Sequence, residues 1–264
     1  YLDKEKILEK IRAKKVCDKS ALKNLENYLN NVEKILKECL KTKFQKYLKN
    51  HGIKVFYSDP STFSSRTKII FIGINPGGTK PESPEKFVEM LENEDKTVDK
   101  WNAFLDERWG KNGKYNKLQT TVHALFEHIF GDKEKLRETL VVNLLPIRSQ
   151  KAPEEKELRN LCQLKETLWE LLVNVKPTHI ICNGIRTYNL IRGWVPQSEW
   201  WEDKSDAQVS KEKKNYRIKF GELKISGGGC PIIMGIPHLS RFSWIVKKIK
   251  ENDMCNKIKE KFRV

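Results

Sequence analysis

The sequence has no paired cysteines and no long apolar runs. Its cysteines stand singly along the 264 residues, with no C-x-x-C pair, at Cys17, Cys39, Cys162, Cys182, Cys230 and Cys255. This scatter argues against zinc ribbons, iron–sulfur ligation and a disulfide framework, and it favours a reducing, intracellular setting, cytoplasmic or nuclear. No apolar run reaches the ~18 residues of a membrane span, and no apolar signal region opens the chain. We therefore expect neither a membrane span nor a secretory signal.

Acidic residues are also in short supply, and their deficit lies at the two ends of the chain. The net charge is +16, from 51 Lys and Arg against 35 Asp and Glu. Residues 1–66 carry 16 basic and 8 acidic groups, residues 204–264 carry 15 and 6, and the middle has 20 and 21. Basic ends around a neutral centre favour a polyanionic partner that contacts both ends. The alternative is that the many lysines only keep the chain soluble, because an excess of basic residues supports contact with phosphates but does not show it.

The centre of the sequence is residues 68–80, K-I-I-F-I-G-I-N-P-G-G-T-K. A short β-branched apolar run that stops at Pro and Gly is typical of a buried strand ending in a tight turn. The glycines allow the backbone to approach a ligand, and Pro76 biases Asn75 away from the helical region. We therefore expect the Asn75 side chain at the carboxyl end of a strand, where open α/β sheets bind their ligands.

Strand patterns alternate with helical ones along the rest of the chain. Apolar strands are predicted at 139–144, 178–182 and 230–236, and a small hairpin with Gly221 in its turn at 216–226. Helices are predicted at 4–16, 21–44, 85–93, 98–109, 117–130, 153–174, 184–192 and 241–263. This order indicates an α/β fold: a three-layer α/β/α arrangement with a central, largely parallel four-stranded sheet. A basic helical extension over 1–63 precedes the α/β domain of 64–264.

Three of the predicted strands end in polar side chains that share one edge of such a sheet. Asn75 follows the first strand, Asn143 closes the second, and His238 follows the last. The strings that contain them are G-I-N-P-G from Gly73, L-V-V-N ending at Asn143, and P-H-L-S-R-F-S from 237 to 243. In chain order and spacing they resemble the uracil-DNA glycosylase superfamily over residues 67–250. The G-I-N-P-G string matches the first motif of its mismatch-specific branch letter for letter, whereas Leu239 stands where the second motif commonly has proline.

The resemblance implies a role for each matched residue. It makes Asn75 and His238 the catalytic pair, with Asn75 positioning a water and His238 donating a hydrogen bond to the departing base. It places Asn143, Gly73 and Ile74 against the flipped base, with Phe87 as the candidate stacking aromatic. DNA contacts would come from the two motif loops, including phosphate contacts by the serines and a wedge at Phe242 or Arg241: Pro76, Gly77, Gly78, Ser240, Arg241, Phe242 and Ser243. No cofactor or metal is implied, and we expect a monomer that binds single- or double-stranded DNA.

Other functions remain open at this stage. A P-loop would need G-x-x-x-x-G-K-[ST], but residues 73–80 give G-x-x-x-x-G-T-K, which misplaces the lysine. A non-catalytic nucleic-acid-binding module fits the basic ends equally well. Within the enzyme class, the insertions at 78–120 and 194–214 could shape a pocket for a bulky modified pyrimidine of phage DNA, which would make the protein a defence enzyme rather than a repair enzyme.

Overall fold

The central sheet of the protein has a parallel half and an antiparallel half. The computed structural model describes residues 2–15, 17–78, 100–195, 200–208, 217–225, 229–241, 243, 246 and 254–263, with the backbone alone for 14, 200–208 and 254. The strands are β1 (Ile69–Gly73), β2 (Thr139–Asn143), β3 (His179–Asn183), β4 (Trp200–Gln208), β5 (Arg217–Lys224) and β6 (Ile232–Ile236). Their order in the sheet is β2-β1-β3-β6-β5-β4. The neighbours among β2, β1, β3 and β6 are parallel, and β5 is antiparallel to both β6 and β4.

Helices cover both faces of the sheet. They are α1 (Lys4–Lys14), α2 (Lys19–Cys39), α3 (Phe44–His51), α4 (Ala103–Asp106), α5 (Lys117–Phe130), α6 (Glu155–Arg159), α7 (Cys162–Val175), α8 (Ile185–Gly193) and α9 (Met254–Phe262). Short 3₁₀ helices lie at Pro60–Phe63, Lys111–Gly113 and Lys133–Glu138. A capping box of Asn116 and Gln119 begins α5, and Gly131, with φ of 79°, ends it.

The register of the sheet shows which face each helix covers. Phe71 lies level with Ile181, whereas Gly235 lies level with Cys182, one residue further along. Because side chains alternate along a strand, Phe71 and Gly235 point to opposite faces. Phe126 of α5 packs on Phe71, with ring centroids 6.3 Å apart. Tyr188 of α8 lies against Gly235, so close that an added Cβ would stand 2.6 Å from its own Cβ. The fold is therefore a three-layer α/β/α sandwich, as the sequence predicted.

The N-terminal helices pack on the α7 side of the molecule. The inner face of α2 is buried, including Leu25, Leu29 and Val32 at 0–1% exposure. Glu38 near its end accepts the backbone N–H groups of Cys162 and Gln163, at 3.2 and 3.3 Å, and so caps α7. This contact places the end of α2 beside the first turn of α7.

Several predicted elements are wrong in detail. The sheet has six described strands rather than four, because β4 and β5 extend the predicted parallel half. Gly221 does not turn a hairpin: β5 runs straight through it and pairs it with both Asp203 and Ile233. The single helix predicted at 153–174 is broken between α6 and α7, and the helix predicted at 21–44 ends at Cys39. Within 100–109, only Ala103–Asp106 is α-helical. The helix predicted at 85–93 lies outside the described residues.

Candidate active site

The polar residues predicted at the strand ends lie at one edge of the sheet. In the parallel register, Gly73 is level with Asn143, and Asn183 is level with Ile236. Asn75 stands two residues beyond the end of β1, and His238 stands two residues beyond the end of β6. From β2 across β1 and β3 to β6 there are three strand spacings, or about 14 Å. We call this the carboxyl edge, and the opposite one the amino edge.

The chain reverses its winding direction at the centre of this edge. The chain first runs from β1 by way of α5 to β2, which lies on one side of β1. It then returns by way of α7 to β3, which lies on the other side of β1. The loops after β1 and β3 therefore leave toward opposite faces and open a crevice between them. Such a switch point is where open α/β sheets bind ligands. Asn75 comes from one wall of the crevice, and Gly184, which follows β3, comes from the other.

The Asn75 amide is held in one orientation by two hydrogen bonds. Its Nδ2 donates to the Pro76 carbonyl oxygen at 2.9 Å and to the Ser149 hydroxyl at 2.8 Å. A carbonyl can only accept, so the nitrogen must face Pro76. The Ser149 hydroxyl donates its own proton to the Lys151 carbonyl at 2.6 Å, and it therefore accepts from Asn75. Both bonds leave Oδ1 as the part of the amide that can receive a hydrogen bond from a ligand.

Ser149 belongs to the loop after β2, which is bound to the first motif along its length. Leu144 and Leu145 donate backbone N–H groups to Gly73 and Ile74, at 3.0 and 2.8 Å. Ser149 donates its N–H to the Pro76 carbonyl at 3.1 Å. These contacts extend the β1–β2 pairing past the strand ends and hold the turn that presents Asn75. The neighbouring Arg148 places its guanidinium against Gly78, 2.8 Å from where a Cβ would stand.

Asn143 lies directly over Gly73. A Cβ added to Gly73 would come within 2.3 Å of the Asn143 Oδ1 atom, so only glycine leaves room for this amide. The side chain of Asn143 is half-buried and makes no hydrogen bond with the part of the chain that the structure describes. Its donor and acceptor are therefore positioned by packing and can bind a ligand.

His238 lies at the opposite wall of the crevice. Its Nδ1 is 2.8 Å from the Ser240 hydroxyl, and its ring passes over Gly184, with Cδ2 3.8 Å from the position of a Cβ there. Gly184 has φ of 120°, a conformation that other residues rarely adopt. His238 keeps contact with solvent, but the protein around it partly desolvates the ring and lowers its pKa, and the Arg241 charge lowers it further. A pKa below the ordinary 6.5 favours the neutral imidazole at pH 7, and Nε2 is directed away from Ser240.

The loop that carries His238 is anchored from below. Leu239 is fully buried, and its backbone N–H donates to the Asn183 Oδ1 atom at 3.1 Å. Arg241 donates its N–H to the His238 carbonyl at 3.0 Å, which closes a turn. An apolar leucine thus anchors this loop in the core.

The remaining predicted residues divide into three groups. Ile74 and Pro76 are buried in the β1 turn, with Ile74 8% exposed, whereas Gly77 and Gly78 are exposed beside Asn75. Ser240 and Arg241 lie with His238, and Ser243 is half-buried further along the same loop. Phe87 and Phe242, the predicted stacking and wedge residues, lie outside the described residues.

Sequence reasoning missed four residues that shape the site. They are Arg148 and Ser149 in the loop after β2, and Asn183 and Gly184 at the end of β3. Asn183 could have been found, because it closes an apolar run, I-I-C-N-G, much as Asn143 closes its own. Ser149 carries no such signal, since its bond to Asn75 joins residues 74 positions apart.

Two cavities of the described residues lie away from the carboxyl edge. A cavity of about 240 Å³ lies at the amino edge, lined by Arg66, Lys68 and Lys100 among others. A second, of about 10 Å³, lies between α2 and α7. Over the described residues, no cluster of three His, Cys, Asp or Glu side chains could hold a metal ion. Nor does that part of the chain contain a helix with the length and apolar character to cross a membrane.

Comparison with known proteins leaves the family open. No protein-family model matches the chain, and no curated protein matches it. Membership of the uracil-DNA glycosylase superfamily therefore stays a prediction carried by three short motifs. The function has to be inferred from the chemistry of the carboxyl edge.

Proposed function

We propose that the protein is a monofunctional DNA glycosylase. It would hydrolyse the N-glycosidic bond of a uracil or a modified pyrimidine flipped out of DNA, and it would leave an abasic site. The observation that supports the proposal is the Asn75 amide, held by two hydrogen bonds that leave its Oδ1 for a ligand, at the same edge of the sheet as His238. Hydrolysis of this bond needs an oriented water on one side of the sugar and a donor for the base on the other.

Asn75 acts on the water in this proposal. As the bond between C1′ and the base lengthens, the base keeps both bonding electrons and the sugar becomes oxocarbenium-like. The water oxygen then bonds to C1′ and releases one proton to solvent, while the departed base gains one from solvent. An amide oxygen can accept a hydrogen bond and orient this water, but it cannot take up the proton. The proposal therefore makes departure of the base the demanding part of the reaction.

His238 acts on the base. With the Ser240 hydroxyl donating to Nδ1, the ring carries its proton on Nε2 and donates it in a hydrogen bond to an oxygen of the leaving pyrimidine. A preorganised donor aimed at developing negative charge is typically worth about 3–4 kcal/mol. The lowered pKa suits this role, because a neutral imidazole stabilises the anion without losing its proton to it.

Asn143 recognises the base. Its amide offers a donor and an acceptor to the polar edge of a pyrimidine, and Gly73 beneath it fixes where they stand. Base edges are paired inside a duplex, so the nucleotide must rotate out of the stack, at a cost of a few kcal/mol, before Asn143 can reach it.

Incubation with a panel of DNA duplexes tests the proposal. Each duplex carries one uracil, thymine mismatch, or unmodified, hydroxymethylated or glucosylated cytosine, and alkali afterwards breaks the strand at any abasic site. We expect strand breaks at one or more of these bases, and which base reacts decides between a repair role and a defence role. Strand breaks before the alkali step would contradict a monofunctional hydrolase.

The Asn75→Ala variant separates an enzyme from a non-catalytic DNA-binding module. We expect it to lose the strand breaks and keep the affinity for DNA, because the missing amide touches water rather than phosphate. Asn27→Ala is the matched control: Asn27 lies between α2 and α7, and its loss should leave activity unchanged. DNA binding by the wild-type protein with no reaction on any duplex would instead support the binding module.

A further inference from the structure

The helix α3 ends beside the candidate active site. Its last residue is followed by Gly52, whose carbonyl accepts the Arg148 N–H at 3.1 Å. Lys54 donates its N–H to the Pro146 carbonyl at 2.9 Å, and Ile53 and Ile147 form an antiparallel bridge between these two hydrogen bonds. These contacts bind the loop after β2, which also holds Asn75 through Ser149. The chain after α3 therefore continues the surface of the carboxyl edge.

Buried side chains fix the orientation of α3. Phe44 and Leu48, one helical turn apart, are 2% and 1% exposed. Lys43, just before the helix, forms an ion pair with Glu157 of α6. Because one face is anchored in the core, the opposite face is presented to solvent in a defined direction.

That outer face combines cations with an aromatic ring. Lys46 and Lys49 are exposed and form no ion pair with the residues that the structure describes. Next to Lys46 in the sequence is Tyr47, which is 39% exposed and one of two large hydrophobic side chains exposed in the described residues. At about 100° per residue, Lys46 faces outward, with Lys49 on one side of it and Tyr47 on the other. Exposed lysines beside an exposed ring are the usual elements of a single-strand binding surface.

We propose that this face of α3, defined by Lys46, Tyr47 and Lys49, binds the DNA strand next to the flipped nucleotide. The lysines contact phosphates, and Tyr47 stacks on a base that flipping has left without its neighbour. The eight residues of α3 extend about 12 Å, which matches roughly three phosphates of one strand. The proposal rests on the proposed function for the identity of the polyanion, and it gives the N-terminal region a direct part in binding the substrate.

Salt dependence of binding tests the lysines. The affinity of Lys46→Gln/Lys49→Gln for a fluorescein-labelled duplex with a central uracil is measured by anisotropy over a series of salt concentrations. We expect the slope of log K against log salt to fall by about two, one for each phosphate that the variant no longer neutralises. Lys68→Gln/Lys133→Gln is the matched control, since these exposed lysines precede β1 and β2 at the amino edge. Equal slopes for the two double variants would overturn the proposal.

The melting temperature distinguishes this role from a purely structural one. Lys49 lies in the last turn of α3, where a cation also stabilises the helix dipole. A lysine that served only the helix would lower the melting temperature on replacement and leave the salt slope unchanged. That result would count against a role of these lysines in DNA binding.

Tyr47 is tested by replacement with Ala and with Phe. We expect Tyr47→Ala to bind a partly single-stranded duplex about tenfold more weakly, and Tyr47→Phe to bind like wild type, because stacking needs the ring and not the hydroxyl. Unchanged binding by Tyr47→Ala would show that the Tyr47 ring is not part of the DNA-binding surface.

These binding measurements do not depend on catalysis. They can be repeated in the Asn75→Ala background, where no base is released. A smaller salt slope with no glycosylase activity in the wild-type protein would sink the proposed function and keep the α3 surface. Glycosylase activity in the wild-type protein, together with a salt slope for Lys46→Gln/Lys49→Gln equal to that of the control variant, would keep the proposed function and sink the α3 surface.

Discussion

The two edges of the parallel sheet each carry a histidine beside a hydroxyl, and the two histidines differ in one respect. At the amino edge, the His179 Nδ1 lies 2.8 Å from the Thr178 hydroxyl, and its Nε2 lies 2.8 Å from the Phe262 carbonyl. At the carboxyl edge, the His238 Nδ1 lies 2.8 Å from the Ser240 hydroxyl. Both ring nitrogens of His179 have a partner within the fold. For His238, the described residues supply one at Nδ1, and Nε2 is left for a ligand.

Under the proposed function, this difference is what separates a structural histidine from a functional one. Desolvation is the largest cause of the lowered pKa in both rings, so the direction of the pKa shift does not separate them. The carbonyl of Phe262 fixes a proton on the Nε2 of His179. We infer the same tautomer for His238, with an oxygen of the substrate in place of that carbonyl.

Replacing the two histidines should therefore have opposite consequences. We expect His238→Ala to lower the single-turnover rate of base release by several hundredfold, because the anionic base loses its preorganised donor. Its melting temperature should stay close to that of wild type. The measurement is release of base from a uracil duplex with enzyme in excess.

His179→Ala is the control for that prediction. It removes the hydrogen bond to Phe262 and a ring contact with centroids 4.7 Å apart. We expect a loss of about 1–2 kcal/mol in the free energy of unfolding and an unchanged rate per folded molecule. A rate loss as large as that of His238→Ala would show that the two edges do not differ as described.

Gly73→Ala tests whether packing at the carboxyl edge positions Asn143. The new Cβ would stand 2.3 Å from the Asn143 Oδ1 atom, so the amide must move. We expect kcat/KM to fall by roughly tenfold to a hundredfold, since a displacement of about 1 Å can have that effect. Because Gly73 acts through Asn143, the double variant Gly73→Ala/Asn143→Ala should be no slower than Asn143→Ala alone. Additive losses would mean that Gly73 has a separate role.

Arg241→Gln should slightly shift the pH dependence of the rate of base release. His238 must be neutral to act, so activity is lost as the pH falls through its pKa, which lies below the ordinary 6.5. Removing the Arg241 charge removes one cause of that lowering, and the pKa rises. The acid limb of the pH–rate profile should therefore move to higher pH. A shift to lower pH would contradict the assignment of the limb to His238.

The strands of the parallel half were predictable because burial on both faces gives short, continuous apolar runs. Three of these runs also ended at the polar residues that define the carboxyl edge. The antiparallel half was harder, since Gly221 suggests a turn locally, whereas pairing with strands on both sides holds it extended. The helix break at Asn160 and Leu161 was missed because apolar spacing continues across it.

The shared position of the candidate site residues at one edge of the sheet was predictable, and their contacts were not. Asn75, Asn143 and His238 were found from their positions after apolar strands. The orientation of the Asn75 amide depends on Ser149, and that of the His238 loop depends on Asn183, which is 56 positions from Leu239. Such contacts follow from the crossing order of the strands, which local patterns do not fix.

The most direct test of the account is detection of the free base. Wild-type protein and Asn75→Ala are incubated with a duplex containing one uracil or modified pyrimidine, and released base and abasic DNA are both quantified by mass spectrometry. The account predicts equal amounts of the two products from wild type and neither from Asn75→Ala. Release that survives in Asn75→Ala, or intact DNA with every base tested, would contradict it.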